Sequence, residues 1–211
     1  MLRVGRRCAM NRYDKANDVF NTIGEIVKKT DFISAGMKEQ DVYILYKQGY
    51  IERVKKGYYK LSAKNEPTDE LLLSKIMAQG IICVESALFY YGYCDFAPRE
   101  WAVAIPGNRS KVLKAIQKEV PVKAYYVKKD MYSLGKTSGS FNGVTLSVYD
   151  RERTICDCFK YRTKLDNEIF NKAINAYVAD DKKNLANLFK YAKEMGVYKK
   201  MINVMEVLLN G

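Results

Sequence analysis

The sequence predicts an α+β protein with an N-terminal winged helix-turn-helix and an α+β C-terminal domain that ends in a helical pack. Three observations support this prediction. The spacing of apolar residues changes from a helical period to a strand period directly after Gly49. Strand and helix patterns then alternate along the middle of the chain, and four amphipathic helix patterns close it. The composition of 63–69 is typical of a linker, which places the domain boundary there.

The N-terminal part carries most of the excess positive charge. The 211 residues include 36 Lys and Arg against 24 Asp and Glu, a formal net charge of +12, and residues 1–64 alone hold 14 basic and 7 acidic residues. Such an excess suits a polyanionic partner such as nucleic acid. We expect a basic N-terminal extension over 1–13, the winged helix-turn-helix over 14–64 and the C-terminal domain over 68–211.

Several classes of site are excluded by composition. Histidine is absent, which excludes Ser/His/Asp and Cys/His catalytic sites and histidine-ligated zinc. The cysteines at 8, 83, 94, 156 and 158 form no C-x-x-C pair and are typical of reduced thiols in a cytosol. No apolar run approaches the ~20 residues of a membrane span. We therefore expect a cytoplasmic protein with no metal, no cofactor and no membrane partner.

Three helices should open the N-terminal domain. Apolar residues recur at helical spacing after Asp14, which we expect to cap a first helix that ends near 28–29. The segment 32–37 has room for one or two turns. A third pattern covers 38–48, with Gly49 as its C-terminal cap.

A basic hairpin should follow these helices. Residues 50–55 and 58–61 alternate imperfectly between apolar and polar, and Lys56-Gly57 supplies a tight turn. In a winged helix-turn-helix the last helix before the hairpin enters the major groove, and the hairpin, or wing, lies along the DNA backbone.

The third helix and the wing therefore form the predicted DNA-binding surface. The core face of the helix should hold Val42, Leu45 and Tyr46, which turns Gln40 and Ile44 outward. We expect Gln40 to pair with adenine and Ile44 to contact a thymine methyl group, whereas the wing cations contact phosphates. The predicted DNA-binding residues are Lys38, Gln40, Tyr43, Ile44, Lys47, Arg53, Lys55 and Lys56.

The C-terminal domain should alternate helices and strands before its helical end. Helices are expected at 70–79, 85–92 and 110–118, and strands at 81–84, 101–106, 122–127, 138–141 and 144–149. Asn142-Gly143 predicts a hairpin between the last two strands. The four closing helices have apolar stripes that include Ile155, Phe170, Leu188 and Met201.

The predicted helix at 110–118 carries a row of cations. Lys111, Lys114 and Lys118 lie on one side of it, and Arg109 precedes it. Lysines opposite an apolar face are typical of a solvated helix surface. The alternative is a second basic surface for the phosphates of DNA or RNA. Both interpretations stay open.

The motifs that could carry catalysis favour structural roles. Thr154 and Asp157 fit the pattern of a capping box, in which they would satisfy backbone N–H groups at the start of a helix. The string from Glu52 to Lys55 lies in the predicted wing and lacks the carboxylate cluster of a nuclease. The glycines at 135, 139 and 143 lack the helix that a phosphate-binding loop requires. We expect no enzymatic activity.

Two runs of the sequence resemble the AbiEi family of abortive-infection antitoxins. The first is GYIERVKKGYY at 49–59, and the second is YDRERTICDC at 149–158. Between them, Ser86-Ala87-Leu88 and the strand pattern at 101–105 are similar to further landmarks of the family in the same order. The resemblance extends from about Asn17 to the end of the chain. The basic segment before it is unlike the family, which leaves Met10 as an alternative start.

The resemblance implies a biological role. It implies the antitoxin of a bacterial type IV toxin–antitoxin system, active in abortive phage infection, that binds inverted repeats in operator DNA and represses its own operon. The partner it implies is a nucleotidyltransferase-like toxin, antagonised without a stable protein complex. The main alternative is a winged-helix transcriptional repressor whose C-terminal domain responds to a ligand.

Overall fold

In a computed structural model of the chain, the structure describes residues 11–107, 113–114 and 116–210, with the backbone alone for 207–210. The predicted α+β class is confirmed, because the described residues form α-helices and two separate sheets. The chain divides into two compact units between Leu71 and Leu72. Each unit has a hydrophobic cluster of its own.

The N-terminal unit contains three helices and a small antiparallel sheet. Its elements are α1 (Arg12–Ile23), β1 (Val27–Lys28), α2 (Lys29–Ser34), α3 (Glu39–Lys47), β2 (Ile51–Lys55) and β3 (Tyr58–Leu61). The strand order is β1-β3-β2, so β3 is the central strand. The three helices and the hairpin follow in the order expected from the sequence.

The first helix has different ends from those expected. Its N-cap is Asn11, whose side chain accepts hydrogen bonds from the backbone N–H groups of Tyr13 and Asp14 at 2.9 Å. The prediction that Asp14 caps this helix is therefore wrong. The helix ends at Ile23 because Gly24 adopts a φ of 111°, outside the helical range. Of the apolar residues beyond it, Ile26 lies in a bend and Val27 in β1, so neither continues the helix.

The core of this unit joins the helices to the sheet. Phe32 of α2 lies at its centre, with ring centroids 5.5 Å from Phe20 of α1 and 6.3 Å from Tyr59 of β3. The buried apolar residues are Ala16, Val19, Phe20, Val27, Phe32, Met37, Val42, Leu45, Ile51 and Tyr59. These contacts fix which face of α3 points inward.

The C-terminal unit contains a five-stranded mixed sheet and a set of helices. The elements are α4 (Asp69–Ile76), β4 (Ile81–Ile82), α5 (Val84–Tyr90), β5 (Trp101–Pro106), β6 (Val122–Val127), β7 (Lys136–Phe141), β8 (Val144–Tyr149), α6 (Arg151–Lys160), α7 (Asn167–Ala179), α8 (Leu185–Glu194) and α9 (Tyr198–Asn210). The division between the units falls within α4. Of the predicted helix at 110–118, residues 113, 114 and 116 are helical, whereas 117 and 118 lie in a turn, so the predicted C-terminal end is wrong.

The sheet has the strand order β6-β5-β4-β8-β7. Strand β4 is central and pairs antiparallel with β5 and parallel with β8. The predicted turn between β7 and β8 is confirmed, because Asn142 and Gly143 both have positive φ, at 47° and 82°. This is the backbone geometry that a two-residue hairpin requires. No helix among the described residues is long and apolar enough to cross a membrane.

Helix α6 is capped by Asp150 and not by the predicted capping box. The Asp150 side chain accepts a hydrogen bond from the backbone N–H of Arg153 at 2.8 Å. Thr154 and Asp157 lie inside the helix, where both are buried. The capping-box interpretation is therefore wrong. The helix begins three residues before Thr154, and Asp150 accepts the hydrogen bond from its first turn.

Candidate nucleic-acid interface

Helix α3 presents an exposed stripe of polar and aromatic side chains. Gln40, Tyr43 and Lys47 lie at positions i, i+3 and i+7, and all three are exposed, Tyr43 to 57%. On the opposite side, Val42 and Leu45 are 2% and 0% exposed. The periodicity of this helix therefore predicted its two main faces correctly. Lys38, directly before the helix, is also exposed.

Ile44 lies outside this exposed stripe. It is half-buried, and it shares a third stripe with Asp41 and Gln48, at i−3 and i+4. Both neighbours contact the start of α1: Arg12 Nη1 is 3.7 Å from Asp41 Oδ1, and the Tyr13 hydroxyl donates to Gln48 Oε1 at 2.8 Å. The expectation that Ile44 is exposed is therefore wrong, because the start of α1 packs along this side of α3. The exposed apolar group of α3 is the ring of Tyr43.

The hairpin contains a β-bulge that was not predicted from the sequence. Arg53 pairs with Tyr59, whereas Lys55 pairs with Tyr58, so Val54 is an extra residue in β2. Residues directly opposite each other in a sheet share a face, and successive residues alternate between faces. Arg53 therefore lies on the same face as the buried Tyr59, and Lys55 lies on the other face with Tyr58. The only trace in the sequence is the three-residue spacing of Ile51 and Val54, which does not fit a regular strand.

Arg53 rests against aromatic rings next to α3. Its guanidinium carbon lies 4.7 Å from the ring centroid of Tyr46 on α3 and 6.0 Å from that of Tyr59 on β3. Arg53 also lines an open concavity of about 370 Å³ together with Gln40 and Tyr43. The structure thus brings one of the predicted wing residues to the side of the helix.

The remaining wing cations lie on the other face or at the turn. Lys55 Nζ is 5.7 Å from the ring centroid of Tyr58, and Lys28 Nζ of β1 is 5.9 Å from the same ring. Lys56 is exposed in the turn, where Gly57 takes a φ of 84°. The cations of the hairpin therefore divide into two groups with different surroundings.

Ion pairs neutralise the acidic groups near this surface. Lys29 Nζ lies 2.9 Å from Glu39 Oε2 at the start of α3, and Lys60 Nζ lies 3.3 Å from Glu52 Oε2 on the hairpin. In the described part of the chain, no carboxylate lies within 4.0 Å of the cationic groups of four predicted residues, namely Lys38, Lys47, Arg53 and Lys56. These four keep their charge available for an anionic partner.

Lys60 is a charged residue whose role was not predicted. It is only 5% exposed, and its ammonium group also lies 2.7 Å from Glu66 Oε1. The hydrogen bond to Glu66 raises the pKa of Lys60 above its ordinary value and outweighs the opposing effect of desolvation. Because Glu66 follows β3, this contact ties the segment after the hairpin to the sheet. The sequence did not predict the ion pair with Glu66, because Lys60 is a single lysine in a strand and no motif marks it.

The predicted second basic surface is described only in part. Lys114 and Lys118 are both exposed. Arg109 and Lys111 lie outside the described residues. The described part of this segment shows no contact that decides between a solvated helix surface and a second basic surface.

Within the part of the chain that the structure describes, no group of three or more Cys, Asp or Glu side chains could hold a metal ion. Cys156 and Cys158, which are close in sequence, point to different partners: Cys156 Sγ donates to Leu188 O and Cys158 Sγ to Thr154 O. Burial raises the pKa of both thiols, and both stay protonated.

No protein-family model matches the chain, and no curated protein matches it either.

Proposed function

We propose that the N-terminal unit is a winged helix-turn-helix that binds double-stranded operator DNA. One observation carries this proposal: the exposed stripe of α3 lies beside a basic hairpin, and four cations of this surface lack a carboxylate partner among the described residues. An exposed helix beside a cationic hairpin suits insertion into the major groove with phosphate contacts at its flank. The order of helices and strands supports the same assignment.

The contacts made by α3 and those made by the hairpin should recognise different parts of the DNA. Gln40 suits adenine, whose N6 and N7 match the side-chain amide. The exposed ring of Tyr43 takes the place proposed from the sequence for Ile44, as an apolar surface for a thymine methyl group. Lys55 and Lys56 suit phosphates, which carry affinity without sequence information.

A mobility-shift series tests this proposal. The full chain is titrated against a duplex from its own promoter region and against a scrambled duplex, at several salt concentrations. Tyr43→Ala should reduce the preference for the promoter duplex by about 1–3 kcal/mol. Lys56→Gln should weaken binding to both duplexes alike and lower the salt slope by about one. Equal binding of the unchanged chain to both duplexes would reject sequence-specific operator recognition.

We further propose that the chain is the antitoxin of an AbiEi-like type IV pair, which represses its own operon and counters a nucleotidyltransferase-like toxin without a stable complex. The support for this role is the resemblance of 49–59 and 149–158 to that family. The test is growth of a bacterial strain that expresses the adjacent toxin gene together with the full chain. The Tyr43→Ala variant serves as the matched control, since it should lose repression and keep protection. Continued growth arrest with the unchanged chain would reject the antitoxin role.

A ligand-responsive repressor is the second candidate. The C-terminal unit has an open concavity of about 360 Å³, lined by Tyr90, Tyr91, Thr137, Ser138, Asp150 and Arg151. This volume lies at the lower end of small-molecule sites. A metabolite that raises the melting temperature of the full chain and releases it from DNA would favour this function over antitoxicity.

A further inference from the structure

We propose that Arg53 is a specificity-determining residue that reads the edge of a guanine base, and that it is not one of the phosphate-binding cations of the hairpin. This inference rests on the proposed DNA-binding function of the N-terminal unit and states how that surface distinguishes sequences.

The first support is the face of the hairpin on which Arg53 lies. The bulge at Val54 reverses the alternation of side chains, so that Arg53 and Lys55, two residues apart, lie on opposite faces. In a regular strand they would share one face. The bulge thus separates Arg53 from the hairpin cations and places it beside α3.

The second support is the way the guanidinium is held. The rings of Tyr46 and Tyr59 are 6.2 Å apart with an interplanar angle of 68°, and Arg53 lies against both. A planar guanidinium that already rests on an aromatic ring loses little further conformational entropy when it binds DNA. A freely moving lysine side chain must be ordered on binding and loses more. Arg53 is exposed and has no carboxylate within ion-pair distance in the described chain. Its donors are therefore held in place and remain available.

The third support is the surroundings of this group. Arg53 lines the same concavity as Gln40 and Tyr43, the two residues of α3 proposed to meet base edges. In the major groove, guanine presents its O6 and N7 as adjacent acceptors, which match the two parallel N–H groups of an arginine. Adenine offers a donor in place of one acceptor and does not match. Arg53 is therefore placed to contact a guanine next to the base that Gln40 reads.

The experiment is a selection of binding sites from a pool of random DNA duplexes, performed with the unchanged full chain and with Arg53→Lys. The lysine keeps the charge but cannot form the bidentate contact. We expect the sites selected by the unchanged chain to contain a G·C pair that the variant no longer selects. Changing that pair to A·T should weaken binding by the unchanged chain about tenfold or more, and binding by the variant by less than about twofold.

Three control variants separate the effect of the position of Arg53 from the effect of its charge. Lys56→Gln removes a cation from the turn and should select the same sites as the unchanged chain, with lower affinity for every duplex. Tyr46→Leu removes the ring beneath Arg53 and should weaken selection of the same G·C pair, whereas Tyr46→Phe keeps the ring and should retain it. Melting temperatures verify that each variant is folded.

Two results would overturn the role of Arg53. One is an unchanged set of selected sites with Arg53→Lys, and the other is an equal loss of affinity for selected and scrambled duplexes. Failure of the proposed function looks different, because the unchanged chain would then enrich no sequence at all.

Discussion

Arg153 and Asp157 form an ion pair in the interior of the C-terminal unit, with Arg153 Nε 3.2 Å from Asp157 Oδ1 and almost no exposure of either side chain. The two residues lie one turn apart on α6. Arg153 Nη1 also donates to the backbone carbonyls of Met131 and Leu134, at 2.8 and 2.9 Å. The guanidinium lies 4.2 Å from the ring centroid of Tyr149. This one side chain therefore connects α6 to the segment that leads into β7.

Replacing Arg153 with methionine should destabilise the protein strongly. The Asp157 carboxylate would remain buried without its cation, and two partly buried carbonyl groups would lose a donor. Breaking a buried pair on one side costs about 3–5 kcal/mol. Urea unfolding at neutral pH measures this loss. Lys172→Met is the matched control, because Lys172 and its partner Asp95 are both exposed and such a pair contributes about 1 kcal/mol or less. Similar losses in both variants would contradict the role given to Arg153.

Asp157 should make stability depend on pH. Burial raises its pKa to about 6, although the Arg153 cation acts to lower it. In the unfolded chain the pKa is about 3.9, so between these values the folded protein alone binds the proton. The resulting stabilisation is complete below about pH 4 and is lost as the pH rises through about 6.

Comparison with Asp157→Asn isolates this effect, because asparagine does not titrate while the other acidic groups are unchanged. We expect the free energy of unfolding of the wild type, relative to the variant, to rise as the pH falls from about 7 to about 4.5. Urea unfolding across this range provides the values. A difference that stays constant, or that shrinks toward acidic pH, would show that the pKa of Asp157 is not raised.

Gly135 should tolerate no side chain. It adopts a φ of 69°, and an added Cβ would lie 2.5 Å from Arg153 Cβ and 2.9 Å from Asp150 Oδ1. Arg153 Cβ is fixed by the backbone of α6, and Asp150 is the cap of that helix, so neither atom can move aside freely. Gly143→Ala is the control, since Gly143 has a φ of 82° and no heavy atom within 4 Å of the added Cβ. We expect the control to lose about 1–2 kcal/mol from its backbone conformation and Gly135→Ala to lose more. Equal shifts in melting temperature would contradict the close contact.

The sequence predicted the elements whose patterns are local. The buried residues of the closing helices, such as Phe170, Ile174 and Tyr177 of α7, follow the expected stripe. The turn at Asn142-Gly143 was predictable because its backbone geometry depends on those two residues alone. Most of the exposed face of α3 was predictable from the spacing of its own apolar residues, because that pattern is also local.

Features that depend on distant residues could not be predicted in this way. Ile44 is half-buried on the side of α3 where Asp41 and Gln48 contact the start of α1, and these contacts join residues about 30 positions apart. The capping-box pattern at Thr154 matches the sequence rule, but the helix begins earlier, at a site set by Asp150. Arg53 was grouped with Lys55 because alternation in a strand was assumed to be regular, and the bulge that separates them is a property of the pairing with β3.

The buried cysteines should be unreactive in the folded protein. Cys83, Cys94, Cys156 and Cys158 are buried with free thiols, and burial raises the pKa of Cys83 and Cys158 well above the ordinary value. The thiolate is the form of cysteine that attacks a thiol reagent, so these groups should react only when the structure opens. The test uses a Cys8→Ser variant and Ellman's reagent. No thiol should be labelled rapidly in buffer, and all four should be labelled in urea. The labelling rate should rise with the urea concentration. Adding Ser138→Cys, at an exposed position of β7, should introduce one rapidly labelled thiol and so verify the assay. Rapid labelling of a native cysteine in buffer would place that residue at the surface.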